Sequence, residues 1–179
     1  MNRRRLENLE RHFQPDDDVS LVDYVAEMNR LRAWVVEKGF GTDFEPDYHG
    51  ALAAGLKAPP GFRHATLDEL AHASEHCTIY RWVAEWGYVL QARQRLADPC
   101  YDTDYFREHL NSQIERCTRN AEEAHAKLAR WGVSQDDALS RARSMYSETQ
   151  PNGYRMPDEE LESITAAILD AGQGGVSGQ

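Results

Sequence analysis

The five residues Asp98-Pro99-Cys100-Tyr101-Asp102 interrupt an otherwise helical pattern in the middle of this 179-residue chain. On both sides of the interruption apolar residues recur at three- and four-residue steps, which is the periodicity of amphipathic helices. We predict one long helix over Leu67–Ala97 and a second over Thr103–Trp131. At ~1.5 Å of rise per residue each helix is roughly 45 Å long. So short a connection requires the two helices to form an antiparallel hairpin.

The two hairpin helices differ in how much apolar surface they carry. The second has a narrow seam close to coiled-coil spacing, formed by Phe106, Leu110, Ile114, Cys117, Ala121, Ala124, Leu128 and Trp131. The first is apolar over a wider arc, which must meet more than one neighbour: either a further helix at 20–38 together with the hairpin mate, or another subunit. Because such an arc would be an exposed apolar patch in a monomer, we predict a homo-oligomer. Its expected interface includes Ile79, Trp82, Val83, Trp86 and Leu90.

Shorter helices flank the hairpin, and no segment has a convincing strand pattern. Ser20 and Asp23 form a capping pair at the start of one helix, and Ser134 opens another. The expected helices lie at 20–38, around 51–56, from Ser134 to about 147, and at 157–171. The sequence therefore predicts an all-α helical bundle. Its expected organisation is a single domain at 1–171, with a hairpin core at 66–132, C-terminal helices at 134–171 and a disordered tail at 172–179.

Composition limits the classes of function. Hydrophobic residues make up 41% and charged residues 28% of the chain, which is the balance of a soluble globular protein. The formal net charge of −10 disfavours a protein whose whole surface grips nucleic acid. No window approaches the ~18 apolar residues of a membrane span, and no signal peptide is expected. Three widely spaced cysteines indicate reduced thiols, so we expect a cytoplasmic protein.

Two Glu-x-x-His sequences raise the question of a metal site, at Glu69–His72 and Glu122–His125. Paired motifs of this kind on facing helices supply ligands in di-metal helical bundles. If the hairpin turns near residue 100, His76 lies level with His125 and within a turn or two of His72. The alternative hypothesis is therefore a divalent or iron metal ion held by His72, His76 and His125, in a redox or hydrolytic enzyme.

Three observations favour an ordinary packed helix over a metal site. Thr66 and Glu69 form a capping box, which gives Glu69 a local role. Glu122 points well away from the apolar seam and therefore towards solvent. Glu27 could supply a bridging carboxylate, but it lies beside the apolar stripe of the 20–38 helix and has no second counterpart. The preferred interpretation has no cofactor and no catalytic residue.

Basic residues are concentrated near the N-terminus, at Arg3, Arg4, Arg5 and Arg11. They are either a phosphate-contacting arm or a mobile charged terminus, in a segment 3–13 that could form a short helix. A weaker nucleic-acid candidate is the joint at Trp131-Gly-Val-Ser134, which has the character of a helix-turn-helix turn. The helix that follows it is only mildly basic, with Arg141 and Arg143.

Two stretches resemble one class of tailed-phage small terminase subunits. They are His64-Ala-Thr-Leu-Asp-Glu-Leu70, continuing to Tyr80-Arg-Trp82, and Lys127-Leu-Ala-Arg-Trp-Gly-Val-Ser134 after the second long helix. The resemblance covers roughly residues 64–145 and is one of layout. Two departures affect the DNA-binding part most: an acidic helix at 20–38 replaces the basic arm of such proteins, and a strongly basic surface is missing.

The resemblance implies a non-catalytic protein that forms rings through its hairpin, binds viral DNA and regulates the ATPase subunit of a packaging motor in the host cytoplasm. The sequence-based conclusion is therefore a non-catalytic, oligomeric helical adaptor. Two alternatives stay open: the histidine and carboxylate metal-binding bundle, and a small inhibitor or adaptor that turns an acidic surface towards a basic protein partner.

Overall fold

The computed structural model describes residues 20–147 and 156–174, and in these residues the regular structure is helical. The helices are α1 (Leu21–Glu37), α2 (Tyr48–Ala53), α3 (Leu67–Ala97), α4 (Asp104–Arg130), α5 (Gln135–Ser147) and α6 (Asp158–Gly174), with a 3-10 turn at Pro99–Tyr101. The all-α prediction is confirmed. Helix α6 continues three residues beyond its expected end at Ala171. The arm at 3–13 and residues 175–179 of the expected tail lie outside the described residues.

The chain divides into two compact units, Met1–Glu75 and His76–Gln179, with the boundary inside α3. The sequence predicts a single helical domain over 1–171. Within the first unit, the irregular segment between α1 and α3 packs on these helices and forms an apolar core. That core consists of Tyr24, Leu31, Val35, Tyr48, Ala51, Ala65, Leu67, Leu70 and Ala71.

Local side-chain bonds fix where the helices of the first unit begin. The Ser20 hydroxyl oxygen accepts the backbone N–H of Asp23 at 3.2 Å, as the capping pair predicts. At the start of α3, Thr66 and Glu69 form the expected reciprocal box: Thr66 N–H donates to the Glu69 carboxylate at 2.9 Å, and Glu69 N–H donates to the Thr66 hydroxyl at 3.2 Å. Each bond satisfies a backbone donor that the first helical turn leaves without a partner.

Glu27 on α1 is buried, with 4% of its surface exposed. Its Oε1 accepts the backbone N–H of His64 at 2.8 Å and of Ala65 at 3.1 Å, so it holds the segment that leads into α3. Burial alone would raise the pKa of Glu27, but hydrogen bonds from the backbone of His64, Ala65 and Arg63 outweigh it and lower the pKa below the ordinary 4.5. The carboxylate considered as a metal ligand is thus a structural anchor.

A histidine connects α2 to α3 in the same unit. The Nε2 atom of His49 lies 3.2 Å from the carbonyl oxygen of Ala71 and 3.4 Å from Oε1 of Glu75. Both neighbours are hydrogen-bond acceptors, and the tautomer of His49 that is protonated at Nε2 can donate to them. The contact anchors the short helix α2, which at six residues is too short to be stable by itself.

The second unit contains the predicted hairpin of α3 and α4. Asp98 accepts the backbone N–H of Cys100 at 2.9 Å and stabilises the 3-10 turn between the helices. Two contacts define which residues are level: the Trp82 and His125 rings stack with centroids 5.3 Å apart, and the Asn120 amide donates to Glu85 at 3.0 Å. His76 precedes Trp82 by six residues, or about 9 Å along the helix axis. His76 is therefore offset by fewer than two helical turns from the level of His125, rather than directly opposite it.

The broad apolar arc of α3 is buried inside the second unit. Its core also contains residues of α4, α5 and α6, among them Leu128, Ala142 and Ile164. A Cβ on Gly87 would lie 3.3 Å from Cδ1 of Ile164, so the missing side chain lets α6 approach α3 closely. Ile79, Trp82, Val83 and Trp86 are buried, and Leu90 is half-buried against the same core. The assignment of these five residues to an oligomer interface needs correction, because helices of the same chain cover them.

Replacing Glu27 tests its structural role. Glu27→Ala leaves two backbone N–H groups without their acceptor, and we expect a loss of about 1–3 kcal/mol in the free energy of unfolding at pH 7. Glu27→Gln retains an Oε1 acceptor and should lose less. Urea unfolding followed by circular dichroism measures both.

The pH dependence provides an internal check on the same variants. The lowered pKa means that the carboxylate contributes fully above its unfolded value of about 4.5 and loses this contribution as the pH falls through the lower folded-state value. The stability difference between wild type and Glu27→Gln should therefore shrink as the pH falls below about 4.5. A difference independent of pH would contradict the anchoring role of the charge.

Candidate interaction surface at the hairpin tip

The three histidines of the metal hypothesis do not form a ligand set. His72 and His76 are exposed on α3, and the half-buried ring of His125 is stacked on Trp82. Across residues 20–147 and 156–174, no three side chains of His, Cys, Asp or Glu lie close enough together to hold a metal ion. Glu69 is engaged in the capping box and Glu122 is exposed, as the sequence predicted.

The buried cysteine of the hairpin is poorly suited to nucleophilic chemistry. Burial raises the pKa of the Cys117 thiol, and the neighbouring Glu85 carboxylate raises it further, with Arg116 acting in the opposite direction. A thiol with a raised pKa carries little thiolate, which is the reactive form. Glu85 also accepts the hydrogen bond from Asn120, so the group holds α3 and α4 together.

The two candidates for nucleic-acid binding lie at the N-terminus and on helix α5. Arg3, Arg4, Arg5 and Arg11 lie outside the described residues. Helix α5 begins at the predicted cap, where Asp137 N–H donates to the Ser134 hydroxyl at 3.1 Å. Its exposed face places Asp136 and Asp137 in the first turn, ahead of Arg143. Two carboxylates at the start of the helix disfavour contact between its first turn and a phosphate group.

The end of the hairpin displays a cluster of aromatic side chains, which we call the tip cluster: Tyr101, Tyr105, Phe106 and His109. Phe106 is in edge-to-face contact with Tyr101 and with Tyr105, each at 5.6 Å between ring centroids. His109 is stacked against Tyr105 at 6.5 Å. Tyr105 is 74% exposed and Phe106 40%. Contacting aromatic rings with this exposure form a surface suited to a partner.

Three carboxylates lie close to the tip cluster in sequence. Asp98, Asp102 and Asp104 are exposed, and the nearest basic residues along the chain are Arg95 and Arg107. Arg107 forms an ion pair with Asp102. The surface thus combines aromatic faces, which carry negative charge above and below the ring, with a local excess of carboxylates.

The tip cluster is not apparent from the sequence, because the spacing of Phe106 places it in the buried seam of the second hairpin helix. Of the other seam residues, Leu110, Cys117, Ala121, Ala124 and Leu128 are buried, and Ile114 and Trp131 are half-buried against the same core. Phe106 differs because it lies in the first turn of α4, next to the connecting turn, and its ring contacts are with Tyr101 of that turn and with Tyr105. Three aromatic residues within six positions of a proline-containing turn were the available signal.

Comparison with protein-family models, with curated proteins and with solved structures finds no match for this chain. Functional inference therefore depends on the chemistry of its own surfaces. Within the described residues, none of the helices is both long enough and apolar enough to cross a lipid bilayer.

If the tip cluster serves binding, removing its aromatic rings should leave stability almost unchanged. We expect Tyr105→Ala to alter the free energy of unfolding by no more than about 0.5 kcal/mol, as is usual for exposed positions. Leu110→Ala, one turn further along α4 and buried, should cost about 2–5 kcal/mol. Denaturant unfolding of the two variants provides the comparison, and equal losses would assign Tyr105 a structural role.

Proposed function

We propose that this chain is a non-catalytic helical adaptor that holds a basic segment of a partner protein at the tip cluster. The observation that supports this proposal is the exposed pair Tyr105 and Phe106, with Phe106 in edge-to-face contact with both Tyr105 and the half-buried Tyr101, close in sequence to exposed carboxylates. It follows the hypothesis of an acidic adaptor for a basic partner, and it assigns a specific surface to that role.

Arginine is the side chain that such a surface recognises best. A guanidinium group over an exposed tyrosine or phenylalanine ring contributes roughly 0.5–1 kcal/mol through cation–π attraction. Its planar fork of donors can also engage a carboxylate with two hydrogen bonds. Asp98 and Asp104 lie within a few residues of the rings, so one arginine-rich segment can use both kinds of contact. Phosphate groups would be repelled by the negatively charged carboxylates.

The tip is also ordered before any partner arrives. The Thr103 hydroxyl accepts the backbone N–H of Phe106 at 3.4 Å and fixes the start of α4, while Asp98 fixes the turn before it. Neighbouring rings restrict one another through their edge-to-face contacts. Binding at such a surface loses less conformational entropy than binding at a flexible loop.

A second candidate function is that of a small terminase subunit, with ring assembly, viral DNA binding and regulation of a packaging ATPase. The observation that favours it is the hairpin of α3 and α4, which is the element that the resemblance requires. The apolar arc of α3 no longer supports oligomerisation, because it is buried within one chain. A ring would have to form through other surfaces.

The adaptor proposal can be tested with a fluorescent hexa-arginine peptide and the purified full chain. Fluorescence anisotropy should detect binding that weakens about tenfold in the double variant Tyr105→Ala with Phe106→Ala, equivalent to ~1.4 kcal/mol. The control Tyr88→Ala removes an exposed tyrosine from α3 of the same unit and should leave the affinity unchanged. A hexaglutamate peptide and a short single-stranded DNA should bind poorly.

The salt dependence of binding, measured for wild type and for charge variants, distinguishes recognition at the tip cluster from general attraction to an acidic protein. Asp98→Asn with Asp104→Asn should weaken peptide binding and reduce its dependence on salt concentration. Equal binding of the arginine peptide by wild type and by the aromatic double variant would refute the tip as the binding surface.

Native mass measurement tests the second candidate. A ring-forming subunit gives a discrete multimer at tens of micromolar in light scattering and native mass spectrometry. A monomer at that concentration would eliminate ring assembly but would leave the adaptor proposal intact.

A further inference from the structure

Phe44 has the highest exposure of the large apolar side chains within residues 20–147 and 156–174, at 96%. It lies in the first unit, in a segment between α1 and α2. The four-residue turn Thr42-Asp43-Phe44-Glu45 presents it, and the side chains of Asp43 and Glu45 on either side are exposed as well. Exposure of an apolar ring to water is unfavourable, and burial of the ring against a partner would be favourable.

The turn that carries Phe44 is held by a dense set of backbone bonds. Thr42 N–H donates to the Glu45 carbonyl and Glu45 N–H donates to the Thr42 carbonyl, both at 3.0 Å. Glu45 N–H also lies 3.1 Å from the Thr42 hydroxyl oxygen. Outside this pair, a bridge joins Gly41 to Pro46, and Asp47 N–H donates to the Phe40 carbonyl at 3.1 Å.

Two further features stabilise the same turn. Arg32 on α1 donates to the backbone carbonyl of Asp43, which connects the turn to the helix. Gly41 has φ of +83°, and a Cβ there would lie 2.3 Å from the Glu45 carbonyl oxygen. No other residue fits at position 41 without displacing the turn. The scaffold is therefore built from the backbone and from residues other than Phe44.

We propose that Phe44 is an anchor residue that inserts into an apolar pocket of a partner protein whose rim carries lysine or arginine. Buried aromatic anchors on ordered segments are typical of interface hot spots. The basic rim follows from charge complementarity, because Asp43 and Glu45 place carboxylates on both sides of the ring. This surface is distinct from the tip cluster and belongs to the other unit of the chain.

The charge on the turn also distinguishes this partner from a lipid surface. Aromatic residues that insert into membranes are usually accompanied by lysine or arginine, which are attracted to anionic headgroups. Here the flanking residues Asp43 and Glu45 have the opposite charge. A protein pocket with a basic rim would bury the Phe44 ring and attract the carboxylates of Asp43 and Glu45.

The test uses a defined host with the proposed chemistry: per-amino-β-cyclodextrin, an apolar cavity ringed by ammonium groups. Calorimetric titration of the purified full chain should show tighter binding to this host than to neutral β-cyclodextrin. Phe44→Ala should weaken binding to the cationic host about tenfold. Asp43→Asn with Glu45→Gln should remove the preference for the cationic host while retaining affinity for the neutral one.

Glycine variants test the contribution of the ordered turn while Phe44 is retained. Gly41→Ala should weaken binding to the cationic host, because the turn must shift to accommodate the new Cβ. Gly39→Ala is the matched control: it also has positive φ, at +88°, but a Cβ there meets nothing within 4 Å. Circular dichroism checks that both variants are folded.

The double variant Tyr105→Ala with Phe106→Ala should bind the cationic host as wild type does, so failure of this proposal is distinguishable from failure of the tip proposal.

Three outcomes would overturn the proposal. Equal binding of the cationic host by wild type and Phe44→Ala would show that the ring is not an anchor. A photoreactive p-benzoylphenylalanine at position 44 that cross-links purified protein to a second copy, or to residues 1–19 of its own chain, would assign Phe44 a different partner. Phe44-dependent co-sedimentation with phosphatidylcholine vesicles would assign it to a lipid surface.

Discussion

Burial of the broad apolar face of α3 is the constraint on which the second unit depends. A helix with apolar residues over so wide an arc cannot be covered by one antiparallel neighbour, because a coiled-coil seam covers only a narrow stripe. The chain meets this requirement with three of its own helices: the seam of α4 covers one part, and α5 and α6 cover the rest. Gly87 contributes by leaving room for Ile164. This arrangement determines how the hairpin and the two C-terminal helices pack, and it leaves the end of the hairpin outside the core.

Helix positions could be predicted from sequence because the signals that define them are local. The capping pairs Ser20/Asp23, Thr66/Glu69 and Ser134/Asp137 all form as expected, and the bounds predicted for α3 match the structure. Which neighbour covers an apolar arc is a different kind of question. Periodicity shows that a face must be buried, but it does not distinguish a helix of the same chain from a second subunit. The interface prediction for Ile79 to Leu90 is wrong for that reason.

The candidate sites were harder to predict because they depend on register and on loop geometry. The His76 and His125 pairing assumed a turn near residue 100, whereas the contacts of Trp82 with His125 and of Glu85 with Asn120 place the centre later in the chain. Glu27 is bonded to backbone groups 37 and 38 residues away, in a segment without periodicity. Likewise, Phe44 is exposed because it lies in a turn, and Tyr105 is exposed because it lies beside the end of a helix. The hydrophobic pattern of the sequence does not show either circumstance.

The construction of the 42–45 turn has an evolutionary consequence. Its shape is specified by main-chain bonds, by Gly41 and by the Arg32 contact, so the side chain at position 44 contributes nothing to the fold that supports it. Substitutions there are expected to leave the turn intact. A lineage that binds a partner through this position can therefore sample new ligand preferences without first acquiring compensating mutations, because neither core depends on residue 44.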